Sequence, residues 1–323
     1  MKLYKLNIQN NDSRSGILEK IKSDKIDYEK DFENWLENSP CVLLDDEDTI
    51  LWIGRQASAI VGNTSKYPDL IGIDSSGDLV IVELKKGRTP REVIAQLLEY
   101  AAWGSYLTYE DLNEMAKEYF KYRNDDTGKD LLEVFKEVFY PDDENEFDIV
   151  FNKSQRLFIV AEEVSPVVRQ IANYIRITYK VDISCMEYKV SKSKDGEYVI
   201  STEKIVGYDG MCPKKSNLMS LSRWNHTIRV KDVIVDAIKE VINNDKSIVF
   251  TPKEVIDNVI KKYPDINKNT VRCQVISNCV NHSSRKYYSG GQDLCYLIDK
   301  GRYRLYDSKN DGKFNSKGEK ISN

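Results

Sequence analysis

Two acidic side chains and a lysine flank a short polar turn near residue 76. Thirteen residues separate Asp69 from Glu83, and Lys85 follows two positions later. Apolar, largely β-branched runs on both sides of residues 75–77 predict two antiparallel strands joined by a tight turn. Because side chains alternate along a strand, Glu83 and Lys85 should lie on one face. Asp69 should lie opposite Glu83, at the open end of the hairpin.

This arrangement suggests a metal site. Two carboxylates supply the hard oxygen ligands that Mg²⁺ prefers, and Mn²⁺ is the second choice. A lysine beside such an ion could orient an attacking water, while the ion offsets charge that develops on a phosphate. The residues themselves therefore predict phosphodiester hydrolysis.

The segment Pro68-Asp69 followed by Glu83-Leu84-Lys85 resembles the PD-(D/E)xK nuclease superfamily. The resemblance implies an α/β fold, a restriction-endonuclease-like mixed sheet flanked by helices. It also implies that Asp69, Glu83 and the carbonyl of Leu84 bind the metal and that Lys85 is catalytic.

Glu33 lies on a predicted helix at residues 28–38, and the resemblance to the superfamily implies that it completes the acidic cluster as a catalytic and metal-binding residue. Three further segments resemble the core of the archaeal NucS endonucleases, and the resemblance covers roughly residues 28–205. One of them, Ser154 to Ala161, resembles a strand of that subgroup. Ile53-Gly54-Arg55-Gln56 resembles a segment found before the metal-binding Asp, and we expect Arg55 and Gln56 to contact nucleic acid. Gln96 and Tyr100 share a helix face at i, i+4 spacing and are expected to be catalytic.

The NucS proteins carry a DNA-binding and dimerisation module before the nuclease, whereas here only a short segment precedes it. The oligomeric state therefore stays open, with a homodimer as one alternative.

The remaining elements of the first domain, residues 1–206, follow from periodicity and turn signals. Thr89 as N-cap and Pro90 at the first position predict the start of the helix that carries Gln96. Further helices are expected at residues 109–122, 129–140 and 166–179, and strands at 157–161, 182–190 and 197–205. We expect Arg169 and Arg176, on the helix at 166–179, to be solvated surface charges.

Length and composition fit two domains of ordinary size in a chain of 323 residues. No run approaches the ~18 apolar residues of a membrane helix, so we expect a cytoplasmic protein without membrane contact. The six cysteines form no Cys-x-x-Cys pair, which favours reduced thiols over zinc sites or disulfides.

A second, α+β domain is predicted at residues 226–308, after a linker at 207–225. An amphipathic helix begins near Val230, and Thr251 with Glu254 forms a capping box for the next helix. A third helix is expected at residues 267–281, followed by a β-hairpin. Three helices and a terminal hairpin resemble a winged helix, and residues 309–323 are expected to be disordered.

The basic excess lies in this second domain, because residues 229–307 carry 14 Lys and Arg against 10 Asp and Glu, while the whole chain has a net charge of −4. In winged helices the third helix enters the major groove and the hairpin contacts phosphates. The nucleic-acid-binding residues expected here are Lys268, Asn269, Arg272 and Gln274 on the helix and Lys300, Arg302 and Arg304 on the hairpin. Docking of another protein on this module is the alternative.

The sequence thus predicts a Mg²⁺-dependent endonuclease that hydrolyses DNA in restriction, defence or repair. Two alternatives stay open. One is a DNA-binding protein whose nuclease-like domain does not cleave. The other is an interaction subunit of a larger defence or repair assembly.

Overall fold

A mixed α/β arrangement forms the first domain. The computed structural model describes residues 4–9, 12–24, 29–44, 49–56, 59–61, 64–66, 68–123, 128–141, 149–193, 197–207, 228–243, 245–264, 266–288 and 291–321. The strands of the first domain are β1 (Tyr4–Gln9), β2 (Asp12–Lys20), β3 (Lys22–Asp24), β4 (Leu51–Arg55), β5 (Ala59–Val61), β6 (Thr64–Lys66), β7 (Leu70–Ile73), β8 (Leu79–Arg88), β9 (Gln155–Glu163), β10 (Asp182–Lys192) and β11 (Tyr198–Val206). Its helices are α1 (Glu29–Asn38), α2 (Val93–Gly104), α3 (Tyr109–Tyr122), α4 (Leu131–Phe139) and α5 (Pro166–Tyr179).

The central sheet has seven strands, in the order β11-β10-β9-β8-β7-β4, with β3 also paired to β10. Strands β8, β9 and β10 run parallel, because helices lie in the connections between them, whereas β4, β7 and β8 form an antiparallel set. Helices α1, α2, α3 and α5 pack on this sheet. The expected mixed sheet flanked by helices is confirmed.

The hairpin of β7 and β8 lies inside this sheet and is buried almost throughout. All four residues of β7 and the first six of β8 are buried, as expected for strands covered on both faces. The turn between them is closed by Asp74, whose Oδ1 accepts hydrogen bonds from the N–H groups of Ser76 and Asp78, at 3.0 Å each. The hairpin predicted around residues 75–77 is therefore present.

A buried ion-pair network fixes the closed end of this hairpin. Arg156 on β9 donates to Asp74 (3.1 Å) and lies 3.6 Å from Asp182. Arg176 on α5 donates to the same Asp182 at 2.8 Å and is itself buried. The expectation that Arg176 is a solvated surface charge is wrong, since the start of β10 supplies it with a carboxylate partner.

Helix α2 begins later than its sequence suggests. Strand β8 continues to Arg88, and the hydroxyl of Thr89 accepts a hydrogen bond from the N–H of Ser165 at 2.8 Å. The predicted N-cap role of Thr89 is therefore wrong, and the helix starts at Val93. The hydroxyl instead ties the end of β8 to the start of α5.

The second domain contains three helices and a hairpin, as predicted. They are α6 (Val230–Val241), α7 (Pro252–Lys262), α8 (Lys268–Ser277), β12 (Cys295–Asp299) and β13 (Arg302–Leu305). The capping box of Thr251 and Glu254 is formed in both directions, by hydrogen bonds of 2.7 and 3.4 Å. The linker at 207–225, apart from residue 207, lies outside the described residues, as do Tyr28 and Tyr67.

The C-terminal tail is ordered where disorder was expected. It forms α9 (Ser308–Asp311) and a small hairpin of β14 (Lys313–Phe314) and β15 (Lys320–Ile321). The N–H of Gly318 donates to the carbonyl of Asn315 at 3.1 Å in the turn. Low apolar content favours disorder in an isolated segment, but here neighbouring structure supplies the missing contacts.

No helix in the described parts of the chain combines the length and the apolar character needed to cross a membrane.

Gly72 leaves no room for a side chain between β7 and β4. A Cβ there would lie 2.4 Å from Cγ2 of Ile50 and 2.8 Å from the Trp52 ring. We expect Gly72→Ala to lower the free energy of unfolding by about 1–3 kcal/mol, because the core must shift to admit the methyl group. Urea unfolding followed by circular dichroism measures this, and an unchanged midpoint would show that the β4–β7 contact adapts freely.

Candidate active site

The carboxylate of Asp69 contacts the backbone of the Glu83-Leu84-Lys85 triplet directly. In the β7–β8 ladder Leu70 pairs with Val82, so Asp69 and Glu83 come next, opposite each other at the open end. Oδ2 of Asp69 accepts a hydrogen bond from the N–H of Leu84 at 2.7 Å. The expected proximity of Asp69 to the triplet is thus seen in the structure.

Glu83 and Lys85 point to one side of β8, as the alternation of a strand requires. Glu83 is buried, with a relative exposure of 1%, and Lys85 is half-buried. The Lys85 ammonium donates a hydrogen bond to Oε1 of Glu83. A carboxylate at this depth needs a positive partner, and Lys85 supplies one charge.

Helix α2 brings Gln96 and Tyr100 to the same region. Nε2 of Gln96 donates to the hydroxyl of Tyr100 at 2.9 Å, across one helical turn. The pKa of Tyr100 is raised, first by burial and then by the negative charges of Glu83 and Asp69, against the lowering effects of Gln96 and Lys85. The Tyr100 hydroxyl therefore stays protonated at neutral pH.

Gln56 supports Asp69 through the main chain. Its N–H donates to the carbonyl of Asp69 at 3.0 Å, and its φ of 46° lies in the left-handed region. The side chain is exposed at the end of β4. Gln56 therefore lies next to the candidate site and is accessible.

Glu33 does not join a three-carboxylate cluster. Within the described residues, no group of three His, Cys, Asp or Glu side chains is placed to hold one metal ion. Oε1 of Glu33 instead accepts from Nε of Arg55 at 2.6 Å. The expected metal-binding role of Glu33 is not supported, because the buried guanidinium of Arg55 takes up its charge.

Glu37 is a second buried partner of Arg55 that sequence reasoning missed. It accepts hydrogen bonds from Nη1 of Arg55 at 2.9 Å and from the hydroxyl of Tyr119 at 2.6 Å, and it is buried. The available signal was its i, i+4 spacing from Glu33 on α1. Two acids on one helix face indicated a shared basic partner on a neighbouring element.

Arg55 is thereby held by two carboxylates, and one of its nitrogens takes no part in these bonds. In the described part of the chain, Nη2 of Arg55 is buried and has no hydrogen-bond partner. Arg55 lines a cleft of about 450 Å³ together with Lys30, Gln56 and Tyr122. An anion in this cleft would complete the hydrogen bonding of the guanidinium.

The donor set of the site fits Mg²⁺ in number and type. Asp69 and Glu83 offer carboxylate oxygens, and Mg²⁺ is commonly bound by one or two carboxylates while it keeps several waters. The two negative charges are only partly compensated by Lys85. A hard divalent cation is therefore compatible with this end of the hairpin.

The nucleic-acid-binding residues that were expected on α8 mostly form contacts within the protein. Nδ2 of Asn269 donates to the hydroxyl of Tyr140 at 2.5 Å, and the Arg272 guanidinium lies 5.5 Å from the centre of the Tyr140 ring. Gln274 is buried, which corrects the expectation that it is exposed. Because α8 packs against α4, it does not present these three side chains to a DNA groove, whereas Lys268 is exposed.

On the hairpin of the second domain, Lys300 and Arg302 are exposed and Arg304 is not available. Nη1 of Arg304 donates to Oδ2 of Asp311 at 2.9 Å, and its guanidinium lies 4.6 Å from the centre of the Tyr296 ring. The structure thus gives Arg304 a carboxylate partner within the protein, which does not favour the expected phosphate-binding role. Its carboxylate partner comes from the tail that was expected to be disordered.

Comparisons with known proteins assign no activity to the chain. A family model described as "Domain of unknown function (DUF7669)" matches residues 229–305. No curated protein matches the chain.

Two solved structures resemble the chain weakly. One is "Structure of EndoMS-dsDNA2 complex", with 12% identity, a TM-score of 0.27, and coverage of 58% of this chain and 65% of that one. The other is a repair endonuclease from Pyrococcus abyssi, with 15% identity, a TM-score of 0.22, and coverage of 52% and 60%. The chain spans less than two thirds of either neighbour, and with such low scores neither likeness assigns an activity.

The bond between Tyr119 and Glu37 can be tested against a matched control. The pKa of Tyr119 is raised, mainly by burial and then by its bond to Glu37, so the hydroxyl stays protonated as a donor. Tyr119→Phe leaves a buried carboxylate oxygen short of a partner and should destabilise the protein by about 1–3 kcal/mol. Tyr122→Phe, at an exposed ring on the same helix, should change stability by less than about 0.5 kcal/mol. Equal melting temperatures for the two variants would contradict the assigned role of Glu37.

Proposed function

We propose that this chain is a metal-dependent endonuclease that hydrolyses phosphodiester bonds of DNA. The observation that supports it best is the 2.7 Å hydrogen bond from the Leu84 N–H to Asp69. It holds one carboxylate against a strand segment that carries a second carboxylate and a lysine. Converging acids with an adjacent ammonium are the residue types that metal-assisted hydrolysis needs.

Asp69, Glu83 and the carbonyl of Leu84 would hold Mg²⁺, with Mn²⁺ as a substitute. The bound ion would polarise the scissile phosphate and lower the pKa of a coordinated water. Glu33 is left out of this set because it is bonded to Arg55.

Lys85 is proposed to orient the attacking water. Its bond to Glu83 keeps the ammonium on the carboxylate face of β8, where it can donate to a water or to a phosphate oxygen as negative charge develops. Tyr100, held by Gln96, offers a neutral hydroxyl in the same region. Lys85 and Tyr100 would position the reacting groups, and neither would form a covalent bond to the substrate.

The cleft at Arg55 is proposed to receive a DNA backbone phosphate next to the scissile one. The side chains of Arg55 and Lys30 line this cleft, and Gln56 connects it to Asp69 through the main chain. A phosphate there would accept charge-assisted hydrogen bonds. This contact would fix the strand relative to the carboxylates.

Cleavage assays test the catalytic assignment. We expect Glu83→Gln and Lys85→Met each to lower the cleavage rate at least about a hundredfold, since each removes a charge that acts on the reacting groups. Plasmid, single-stranded and flap substrates should be incubated with Mg²⁺, Mn²⁺ or EDTA. The control is Glu163→Gln, an exposed residue at the C-terminal end of β9, whose partner is Arg88.

We expect the Glu163 variant to cleave at the wild-type rate. The Glu83 and Lys85 variants, and the wild type in EDTA, should lose cleavage. Equal cleavage by the Glu83 variant would remove the proposed site. If no protein cleaves but all of them bind DNA equally well in EDTA, the chain is a non-cleaving DNA-binding protein.

Lys300 and Arg302 are proposed to contact DNA phosphates from the hairpin of the second domain. We expect Arg302→Ala to weaken DNA binding equally for all sequences and to reduce the slope of log K against log salt by about 0.9. Arg304→Ala should not change that slope, because its guanidinium is bonded to Asp311. Fluorescence anisotropy at several salt concentrations measures both, and equal slopes for wild type and the Arg302 variant would exclude this contact.

A further inference from the structure

The two domains are held together by hydrogen bonds that leave a cleft between them. The hydroxyl of Thr49, just before β4, donates to the carbonyl of Tyr287 at 2.7 Å. The hydroxyl of Tyr288 donates to the carbonyl of Val138 on α4 at 2.8 Å. Cys273 and Ile276 of α8 belong to the same apolar core as the first domain. The walls of the cleft are therefore fixed relative to each other.

The cleft encloses a cavity of about 250 Å³ with an unusual mixture of side chains. Both domains provide aromatic rings, and the cations come from both domains and from the C-terminal tail. The rings are those of Trp52, Tyr119, Phe120 and Tyr287, and the cations are Arg123, Lys286 and Lys317.

Among the described residues of the lining, cations outnumber acids. The one acid in that described set is Glu37, which already accepts hydrogen bonds from Arg55 and Tyr119 and lies 3.5 Å from Nη1 of Arg123. Glu37 thus balances part of Arg55 and Arg123. Among the described lining residues, no further acid is present to pair with Lys286 or Lys317.

The hairpin of β14 and β15 in the C-terminal tail places Lys317 at the cavity. It lies in the turn between β14 and β15, where Gly318 has a φ of +83° and packs so closely that a Cβ would lie 2.5 Å from the carbonyl oxygen of His282. Only glycine accepts both this φ and this contact. The tail is thereby held against the second domain with Lys317 at the cleft.

We propose that this cavity binds a nucleotide, which combines a planar base and a phosphate. Aromatic side chains provide stacking surfaces for any base, and Lys286 and Lys317 provide charge-assisted hydrogen bonds to the phosphate. The ligand is either a free nucleoside monophosphate or an unpaired nucleotide at the end of a nucleic acid strand. The site differs from the candidate metal site and uses residues of the second domain.

Isothermal titration calorimetry of the full chain in EDTA tests this without any cleavage, so its outcome is independent of the proposed nuclease activity. The probes are adenosine monophosphate, adenosine, inorganic phosphate and a short oligothymidine. Binding of the monophosphate, with adenosine and phosphate each weaker, supports a free nucleotide. Binding of the oligonucleotide alone supports a strand end. No binding of either, or equal binding of phosphate alone, overturns the proposal.

Charge reversal localises the site. We expect Lys286→Glu and Lys317→Glu each to raise Kd roughly tenfold or more, since each replaces a bond to phosphate by repulsion. Lys286→Arg should retain binding. Lys253→Glu makes the same charge change at an exposed position on α7 that does not line the cavity, and it should bind as the wild type does. Unchanged affinity in both glutamate variants would place the ligand elsewhere.

Discussion

The hydrogen bond between the Asp69 carboxylate and the Leu84 N–H is the interaction on which the candidate site depends. The β7–β8 ladder ends at the pair Leu70 and Val82, while β8 continues beside β9. Beyond that point a side chain replaces the main chain of β7 as the acceptor for β8. The carboxylate of Asp69 is therefore fixed beside Glu83 and Lys85, whose direction follows from the pleat of β8.

Those parts of the fold and the site that depend on spacing within one segment could be predicted from the sequence. The hairpin around residue 76 follows from two apolar runs and a polar turn, and the approach of Asp69 to Glu83 follows from its register. The bond between Gln96 and Tyr100 follows from their i, i+4 spacing, and the capping box of α7 from Thr251 and Glu254. In each case the partners are close in sequence or lie on directly paired strands.

Pairings between distant charges could not be predicted in this way. Arg55 is bonded to Glu33 and Glu37 on α1, and Arg304 is bonded to Asp311. In the sequence alone, such an arginine cannot be distinguished from one whose charge is available to bind phosphate. Whether the arginine is paired within the protein depends on burial, because a buried guanidinium requires acidic partners. These partners can come from any element that packs against it. The tail was missed for the same reason, since its order depends on contacts with His282 and Arg304.

The central claim is that Asp69 and Glu83 share one divalent ion, and crystals soaked in Mn²⁺ test it most directly. Anomalous diffraction should show one peak within bonding distance of both carboxylates, close to the main chain of Leu84. A peak bound by other residues, or no peak between these two carboxylates at saturating Mn²⁺, would contradict the metal site and with it the proposed hydrolysis.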